Sequence, residues 1–357
     1  DAIRDRDVTG VQTCALPLSG VCYGLWDEPQ TTSLPAYTTP EILAADLSSL
    51  VLDLAQWGVR DPSTLAFLDP PPGPSLNEAR DLLRQLGALD GDGRITAEGQ
   101  ALRALALPPR LARMIVDAQR FGAAQEAADI AAILTERGLG GDSVDLDARL
   151  DQFRRDRSQR AVSAKQLAKR WAGQVEATNA LRSPPPVGGE GVGSGALLAL
   201  AFPDRVARNR GNGSFVLANG RGASVEQTSV LAKSPYIAVA ELTGTAANGR
   251  ILLAAPVAQL EIEQQFADHI QTDDEITFDR AAMALRARRR KKLHAITLSE
   301  QTLAVSPSGE TARVLADGLV AAGIDRLPWS KALRQWRDRV MFLRAASPED
   351  WPDLSDN

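Results

Sequence analysis

Arg205-Val206-Ala207-Arg208-Asn209-Arg210, then Gly211-Asn212-Gly213, then Ser214-Phe215-Val216-Leu217-Ala218 and Asn219-Gly220: two β-prone runs meet at a glycine-asparagine turn, and a second turn dipeptide follows. From this stretch onward the hydrophobic period is two. Residues 205–210, 214–218, 236–242 and 250–254 read as strands, and 257–266 as a short helix between strands. A last strand is expected to begin at 276–278 and to run on through Leu285 to Leu293. Five strands with an intervening helix over 197–298 predict a small barrel of the oligonucleotide-binding type.

Towards the N-terminus the period becomes helical. Ile42, Leu43, Leu47, Leu50, Val51, Leu54 and Trp57 recur at spacings of three and four. They predict one amphipathic helix of about four turns, stopped by Gly58. Asp61-Pro62 opens a short helix, and Ser75 with Glu78 forms a capping box ahead of Leu76, Ala79, Leu82, Leu83 and Leu86. Leu89-Asp90-Gly91-Asp92-Gly93-Arg94-Ile95 is a hairpin signal, and Thr96 caps the next helix. Helices followed by a glycine-tipped hairpin predict a winged helix over 40–106. Residues 107–182 predict a helical bundle, with a helix opened by Pro108-Pro109, an alanine-rich helix over 123–134, and two more over 146–155 and 163–176. Residues 183–196, rich in proline and glycine, read as a linker. Helical periodicity returns over 311–323 and 331–345. Trp57, Trp171 and Trp336 lie on amphipathic stripes and are expected as core anchors.

The first twenty residues show neither period. The run from Asp7 to Pro17 looks like translated adaptor sequence, so 1–20 is read as a non-native or disordered segment. The chain opens on Asp1 rather than Met, which suggests a fragment. The 357 residues are 44% hydrophobic and 24% charged, an ordinary globular composition. The net charge of -5 excludes a uniformly basic nucleic-acid sleeve but allows local patches. No apolar run is long enough to span a bilayer and no cleavable leader is evident, so a cytoplasmic protein without a membrane partner is expected.

Catalytic motifs are missing. There is no Gly-x-x-x-x-Gly-Lys-Ser/Thr, no His-Glu-x-x-His and no Gly-x-Ser-x-Gly. Cys14, Cys22, His269 and His294 make no metal set, so neither a catalytic residue nor a metal is assigned. The positive signal is basic. Of the 40 basic residues 34 are arginine, which suits phosphate forks and equally a GC-rich coding sequence. Arg149, Arg154, Arg155, Arg157, Arg160, Lys165, Lys169 and Arg170 crowd the second half of the bundle. Arg286, Arg288, Arg289, Arg290, Lys291 and Lys292 place six cations in seven residues with no acid among them. They read either as a phosphate contact or as a solvated, aggregation-resistant edge strand. Arg205, Arg208 and Arg210 precede the Gly-Asn-Gly turn, with Arg205 facing away from the other two if the strand is regular. Phe215 and Tyr236 could stack bases, though Phe215 fits a barrel core better.

In order along the chain, several stretches resemble the C-terminal half of bacterial ATP-dependent helicases of the HrpB type, in the DEAH-box superfamily 2 group. Val21-Cys22-Tyr23-Gly24-Leu25-Trp26 resembles the strand after the arginine motif of the second motor domain, with Gly24 where the family has arginine. Ala55-Gln56-Trp57-Gly58, Phe67-Leu68-Asp69-Pro70-Pro71 and Leu86-Gly87-Ala88-Leu89 resemble the winged helix. Leu107-Pro108-Pro109-Arg110-Leu111-Ala112-Arg113-Met114 resembles the entry to the ratchet bundle. Phe202-Pro203-Asp204-Arg205-Val206-Ala207 and Leu217-Ala218-Asn219-Gly220-Arg221-Gly222-Ala223 are the most distinctive pieces. Leu327-Pro328-Trp329 and Val340-Met341-Phe342-Leu343-Arg344 resemble the C-terminal extension.

The resemblance implies a multidomain α+β chain: a motor-domain remnant and linker at 21–39, a winged helix at 40–106, and a ratchet-like helical bundle at 107–182. After the linker at 183–196 come an oligonucleotide-binding-type barrel at 197–298 and a truncated helical C-terminal domain at 299–357. It implies a parent that uses ATP and Mg to move along single-stranded nucleic acid, RNA foremost. The phosphate loop and magnesium motif belong to RecA-like motor domains upstream, so no cofactor is expected in this fragment, which should not hydrolyse ATP alone. Its partners would be the single strand and those motor domains. Charge and module together nominate Arg154, Arg155, Lys165, Lys169, Arg208, Arg210 and Arg288 for backbone contact. The alternatives are a freestanding non-catalytic nucleic-acid-binding module, a scaffold for an acidic protein partner, and a hydrolase, the last disfavoured by the empty catalytic inventory.

Overall fold

The structure, a computed structural model, describes residues 39–179, 191–244, 249–323 and 328–354. The segment 1–20, nearly all of 21–39, and most of the proline-glycine stretch lie outside the described residues.

The first helical unit starts later than its apolar stripe. Glu41–Leu43 is a single 3-10 turn, and helix α1 spans Ser48–Gln56. Asp46 separates the two by accepting the Ser48 amide at 2.8 Å. Leu47, Val51, Leu52 and Leu54 are buried, but Trp57 is 73% exposed. The helix has already ended there and Gly58 turns into the left-handed region at φ 81°, so Trp57 leaves the stripe and is not a core anchor. Helix α2 (Gly73–Gln85) begins ahead of Ser75, and Pro72 at its N-cap makes no side-chain cap, so the expected capping box is not formed. Between α2 and α3 (Ala97–Ala104) the hairpin is reduced to one bridge, Leu89 to Ile95. The Thr96 hydroxyl oxygen accepts the Gly99 amide at 3.0 Å, and its proton goes to the Gly87 carbonyl.

Helices α4 (Pro109–Ala118), α5 (Ala124–Thr135), α6 (Leu146–Arg155) and α7 (Gln159–Asn179) follow. Ala127, Ala128 and Ala131 of α5 are fully buried, and these small side chains let the long α7 lie close along it. Trp171 of α7 is buried, as its stripe predicts.

Where a linker is expected through residue 196, helix α8 (Ser194–Ala201) is the most enclosed element of the molecule. Its sequence, Ser-Gly-Ala-Leu-Leu-Ala-Leu-Ala, is small or apolar on every side, which is the pattern of a helix with no solvent face. It packs on α4, α5 and two barrel strands, so bundle and barrel share one continuous core. A Cβ at Gly195 would come within 1.9 Å of the Pro256 carbonyl oxygen, so only glycine fits that crossing.

The barrel strands are β1 (Val206–Gly211), β2 (Ser214–Leu217), β3 (Gly222–Ser224), β4 (Tyr236–Gly244) and β5 (Gly249–Pro256). They close in the order β1-β2-β3-β5-β4, with β3 parallel to β5 and β4 returning antiparallel to β1. Phe215, Leu217, Leu231, Ile237, Val239 and Ile251 fill the interior. Helix α9 (Gln259–Gln265) follows.

The expected last barrel strand is instead two strands of a separate sheet. β6 (Ile270–Asp279), β7 (Ala284–Leu293) and β8 (Ile296–Leu303) form an antiparallel three-stranded unit. The barrel closes without them because β3 supplies its fifth strand. That strand is three small residues, Gly222-Ala223-Ser224, too short to show a period. A boundary at 298 would cut β8 in two. Helix α10 (Gly309–Ala322) lies across this sheet with Gly318 against the Phe278 ring, and helix α11 (Lys331–Ala346) comes last. Trp336 of α11 is 56% exposed, so it is no core anchor either. Among the described residues no helix is long and apolar enough to cross a membrane.

Candidate nucleic-acid interface

The cations divide by whether an acid reaches them. In β7 every one is met. Arg289 makes two hydrogen bonds of 2.8 Å to Asp274, and Arg290 pairs with Glu275 at 2.7 Å and with Glu300 at 3.6 Å. Lys292 lies 3.5 Å from Asp273 and Lys291 3.6 Å from Glu263. Arg286 pairs with Asp279, and Arg288 with Glu300. The donated Arg289 hydrogen bonds hold the Asp274 carboxyl below its usual range, and the backbone amides of Ala282 and Ala281 do the same for Asp279. β7 is also the central strand, not an edge. The edge-strand reading therefore fails, and Arg288, like the other cations of the run, has a carboxylate partner.

In the bundle the nominated residues differ among themselves. Lys165 donates to the carbonyls of Arg154 at 2.9 Å and Asp156 at 2.7 Å, and its ammonium sits 5.4 Å from the Phe153 ring centre. It closes the C-terminal end of α6, where orphan carbonyls favour a cation. Arg154 pairs with Glu126 at 3.0 Å, and Arg155, largely exposed, lies 3.6 Å from Asp151. Lys169 is exposed and has no carboxylate within ion-pair reach among the described residues. The same holds for Arg157 and Arg170, which the nomination left out. The signal for Lys169 and Arg170 was in the sequence: no acid stands three or four positions away from either, whereas Asp151 stands so placed beside Arg154 and Arg155.

On the barrel, Arg208 and Arg210 share the outward face of β1 and have no acidic partner among the described residues. Their cross-strand neighbours on β2 and β4 carry none: Arg208 stands opposite Val216 and Tyr236. Asn209 points the other way, its amide donating to the carbonyls of Ala232 and Ser234. The turn beyond is left-handed at Gly211, Asn212 and Gly213. Arg221 and Lys233, also exposed and without an acidic partner, were not singled out as contacts. Phe215 and Tyr236 are both buried, and the Tyr236 hydroxyl donates to the Leu298 carbonyl at 2.9 Å, so neither is a stacking platform.

Arg205 does face away from its neighbours, because it belongs to a joint. The Phe202 ring lies between Arg205, 4.7 Å from its centre, and Arg110, at 5.5 Å. Arg110 pairs with Asp204 at 2.7 Å, and Arg205 donates to the Ala240 carbonyl at 2.7 Å. Burial pushes the Arg205 pKa below its ordinary value. Phe202-Pro203-Asp204-Arg205 therefore ties bundle helix α4 to barrel strand β4. Among the described residues no group of three or more His, Cys, Asp or Glu could hold a metal ion.

No family model matches the chain. Among curated proteins it is 36% identical over 342 residues to "ATP-dependent RNA helicase HrpB" of Escherichia coli K12, which covers 94% of this chain and 40% of that protein. The chain is homologous to HrpB. The crystal structure of the E. coli DExH-box NTPase HrpB superposes with a TM-score of 0.62 at 33% identity, covering 92% of this chain and 39% of that one. Other likenesses are shorter. Human "Probable ATP-dependent RNA helicase DHX35" is 36% identical over 117 residues, and E. coli HrpA 33% over 127 residues, about a third of this chain in each case. The chain thus spans less than half the length of the helicases it matches. The mixed helical and small-barrel architecture agrees with the HrpB structure.

Proposed function

We propose that this chain is the accessory, nucleic-acid-holding part of an HrpB-type ATP-dependent RNA helicase. Its parent would couple ATP hydrolysis, with Mg, to movement along a single strand in the cytoplasm, using motor domains in the portion of HrpB that this chain does not match. The chain itself would hold the strand and carry out no hydrolysis. Residues 40–106 would act as a winged helix against the motor, and α4–α7 as the ratchet bundle over the channel. The barrel would be the oligonucleotide-binding module, a reading supported by its five-stranded closed order.

The observation that carries the proposal is the pair of unneutralised arginines on β1, Arg208 and Arg210, beside a turn of small residues. Cations that no carboxylate holds can meet a phosphate without first giving up an ion pair. On the bundle, Lys169 and Arg170 of α7 and Arg157 ahead of it would add further cations, and Arg155 is paired only at 3.6 Å. Arg154, Lys165 and Arg288, already engaged by Glu126, backbone carbonyls and Glu300, rank below these.

The test is anisotropy of a labelled single-stranded RNA of about 20 nucleotides with the whole chain, without ATP, between about 50 and 200 mM salt. Each phosphate contact contributes about 0.7 to the log-log slope for single strands. Four contacts therefore give a slope near -3. Binding insensitive to salt, or none at the lower salt, rejects the proposal.

A further inference from the structure

The two histidines of the chain lie 25 residues apart in sequence, and the fold brings them together. His269 stands directly before β6 and His294 directly after β7. Ile270 and Leu293 form the first rung of the β6–β7 ladder, so the histidines meet one position beyond it. Their ring centres are 6.5 Å apart, with the rings inclined at 53°. The buried Phe266 ring stands edge-on to His269 at 6.5 Å. Both histidines are exposed. Among the described residues neither imidazole has a hydrogen-bond or ion-pair partner. The nearby cations of β7, Lys291 and Lys292, are met by Glu263 and Asp273, so they do not leave this end of the sheet uncompensated. His294 is also the first residue of the two-residue β7–β8 turn, where it takes a left-handed φ of 50°. Glycine would hold that position with less strain.

We infer that His269 and His294 form a two-histidine site for one divalent transition-metal ion of the zinc, copper and nickel class. Neutral imidazole is a ligand for these ions, whereas calcium and magnesium take oxygen. With each nitrogen about 2.0–2.1 Å from the ion, two rings have their centres roughly 5 Å apart at a tetrahedral angle and roughly 6.4 Å apart on opposite sides. The observed 6.5 Å matches the second arrangement. A modest turn of either side chain gives the first, and solvated rings without other partners make it at little cost. Water supplies the remaining positions, because no third His, Cys, Asp or Glu joins the pair. The ion clips the segment between α9 and β6 to the β7–β8 turn. That turn is itself held to the barrel, where the Ala295 amide donates to the Ala218 carbonyl at 3.0 Å.

The probe is zinc ion alone, titrated calorimetrically into the full chain at about pH 7.5, where imidazole is a competent ligand. The parent for the test carries Cys14→Ser and Cys22→Ser, which removes the thiols that would compete for zinc. One ion per chain is expected. His269→Ala or His294→Gly should each weaken binding about tenfold or more, because the chelate needs both rings. Both side chains are solvated, glycine adopts the turn freely at 294, and circular dichroism verifies that each variant keeps its fold. The thermal midpoint of the parent should rise with zinc concentration, and the midpoints of the two variants should not. Two ions per chain, or a single-histidine variant with the parent's affinity, would mean two separate surface imidazoles and overturn the inference. So would an absence of binding, or a zinc-dependent midpoint that both variants share with the parent.

Discussion

β1 and β7 are both arginine-rich strands, and they have opposite electrostatic fates. On β7 six cations face Asp273, Asp274, Glu275 and Asp279 from β6, Glu300 from β8 and Glu263 from α9. On β1 two arginines stand over neighbours without a single acid. The denser cluster is the one whose cations all have carboxylate partners. Cation count along a sequence measures neither free charge nor affinity; what the neighbouring strands place across the ladder decides both.

The sharpest way to break this comparison is to reverse the two charges on β1 and to remove one from β7. Arg208→Glu with Arg210→Glu should weaken single-stranded RNA binding tenfold or more at about 50 mM salt and lower the salt slope by at least about 1.4, two contacts' worth. Arg288→Ala should leave RNA affinity within experimental error and cost at most about 1 kcal/mol in stability, the range of an exposed ion pair. An equal loss from both variants would mean that β7 reaches the strand despite its acids.

A gain of function probes the same contrast with a smaller effect. Asp273→Asn, Asp274→Asn and Glu275→Gln together would remove the carboxylates that hold Lys292, Arg289 and Arg290. RNA affinity should then rise severalfold and the salt slope should steepen. An unchanged slope would show that orientation, not neutralisation, keeps β7 away from nucleic acid. The sheet should still form, since its hydrogen-bonded ladder and the Phe278–Gly318 contact do not involve these groups.

How much of this was legible depended on the range of the deciding interaction. Helices α4 to α7 follow local periodicity and punctuation, and α6 was read to the residue. The β6–β7 hairpin was also written locally, though it takes pairing to see it. Residues 273–275 are Asp-Asp-Glu and 288–290 are Arg-Arg-Arg, and folding about the turn near Ala281 brings them into register. Reading the cations alone hid the acids that complete them. β3 was not legible, because three small residues carry no period and its pairing with β5 is long-range. The buried α8 was half legible: its apolar run was plain, but the glycines before it suggested that the linker continued. Trp57 failed because its helix ends before it, and Trp336 because a stripe shows which face is apolar and not whether anything covers it. Arg208 and Arg210 were chosen for their charge, and their lack of acidic partners became visible only with strand order.

The mildest expected effect concerns pH. Asp274 and Asp279 have folded pKa values below their ordinary range, from the Arg289 hydrogen bonds in one case and backbone amides in the other. A depressed carboxylate adds stability at all pH values above its unfolded pKa, near 3.9, and that contribution is lost as pH falls through the lower folded value. These two groups should therefore leave the thermal midpoint flat from pH 7 to pH 5 and draw it down only below about pH 4. Asp274→Asn should flatten part of that acid limb while leaving the midpoint at neutral pH little changed, because both partners are solvated. RNA binding through Arg208 and Arg210 should be level from pH 7 to pH 5, since guanidinium groups do not titrate there. Melting followed by circular dichroism, beside anisotropy at each pH, separates the two strands once more. A midpoint that already falls between pH 7 and pH 5 would mean that groups other than these carboxylates control the sheet. A binding curve that changes across the same interval would mean that arginine alone does not hold the strand.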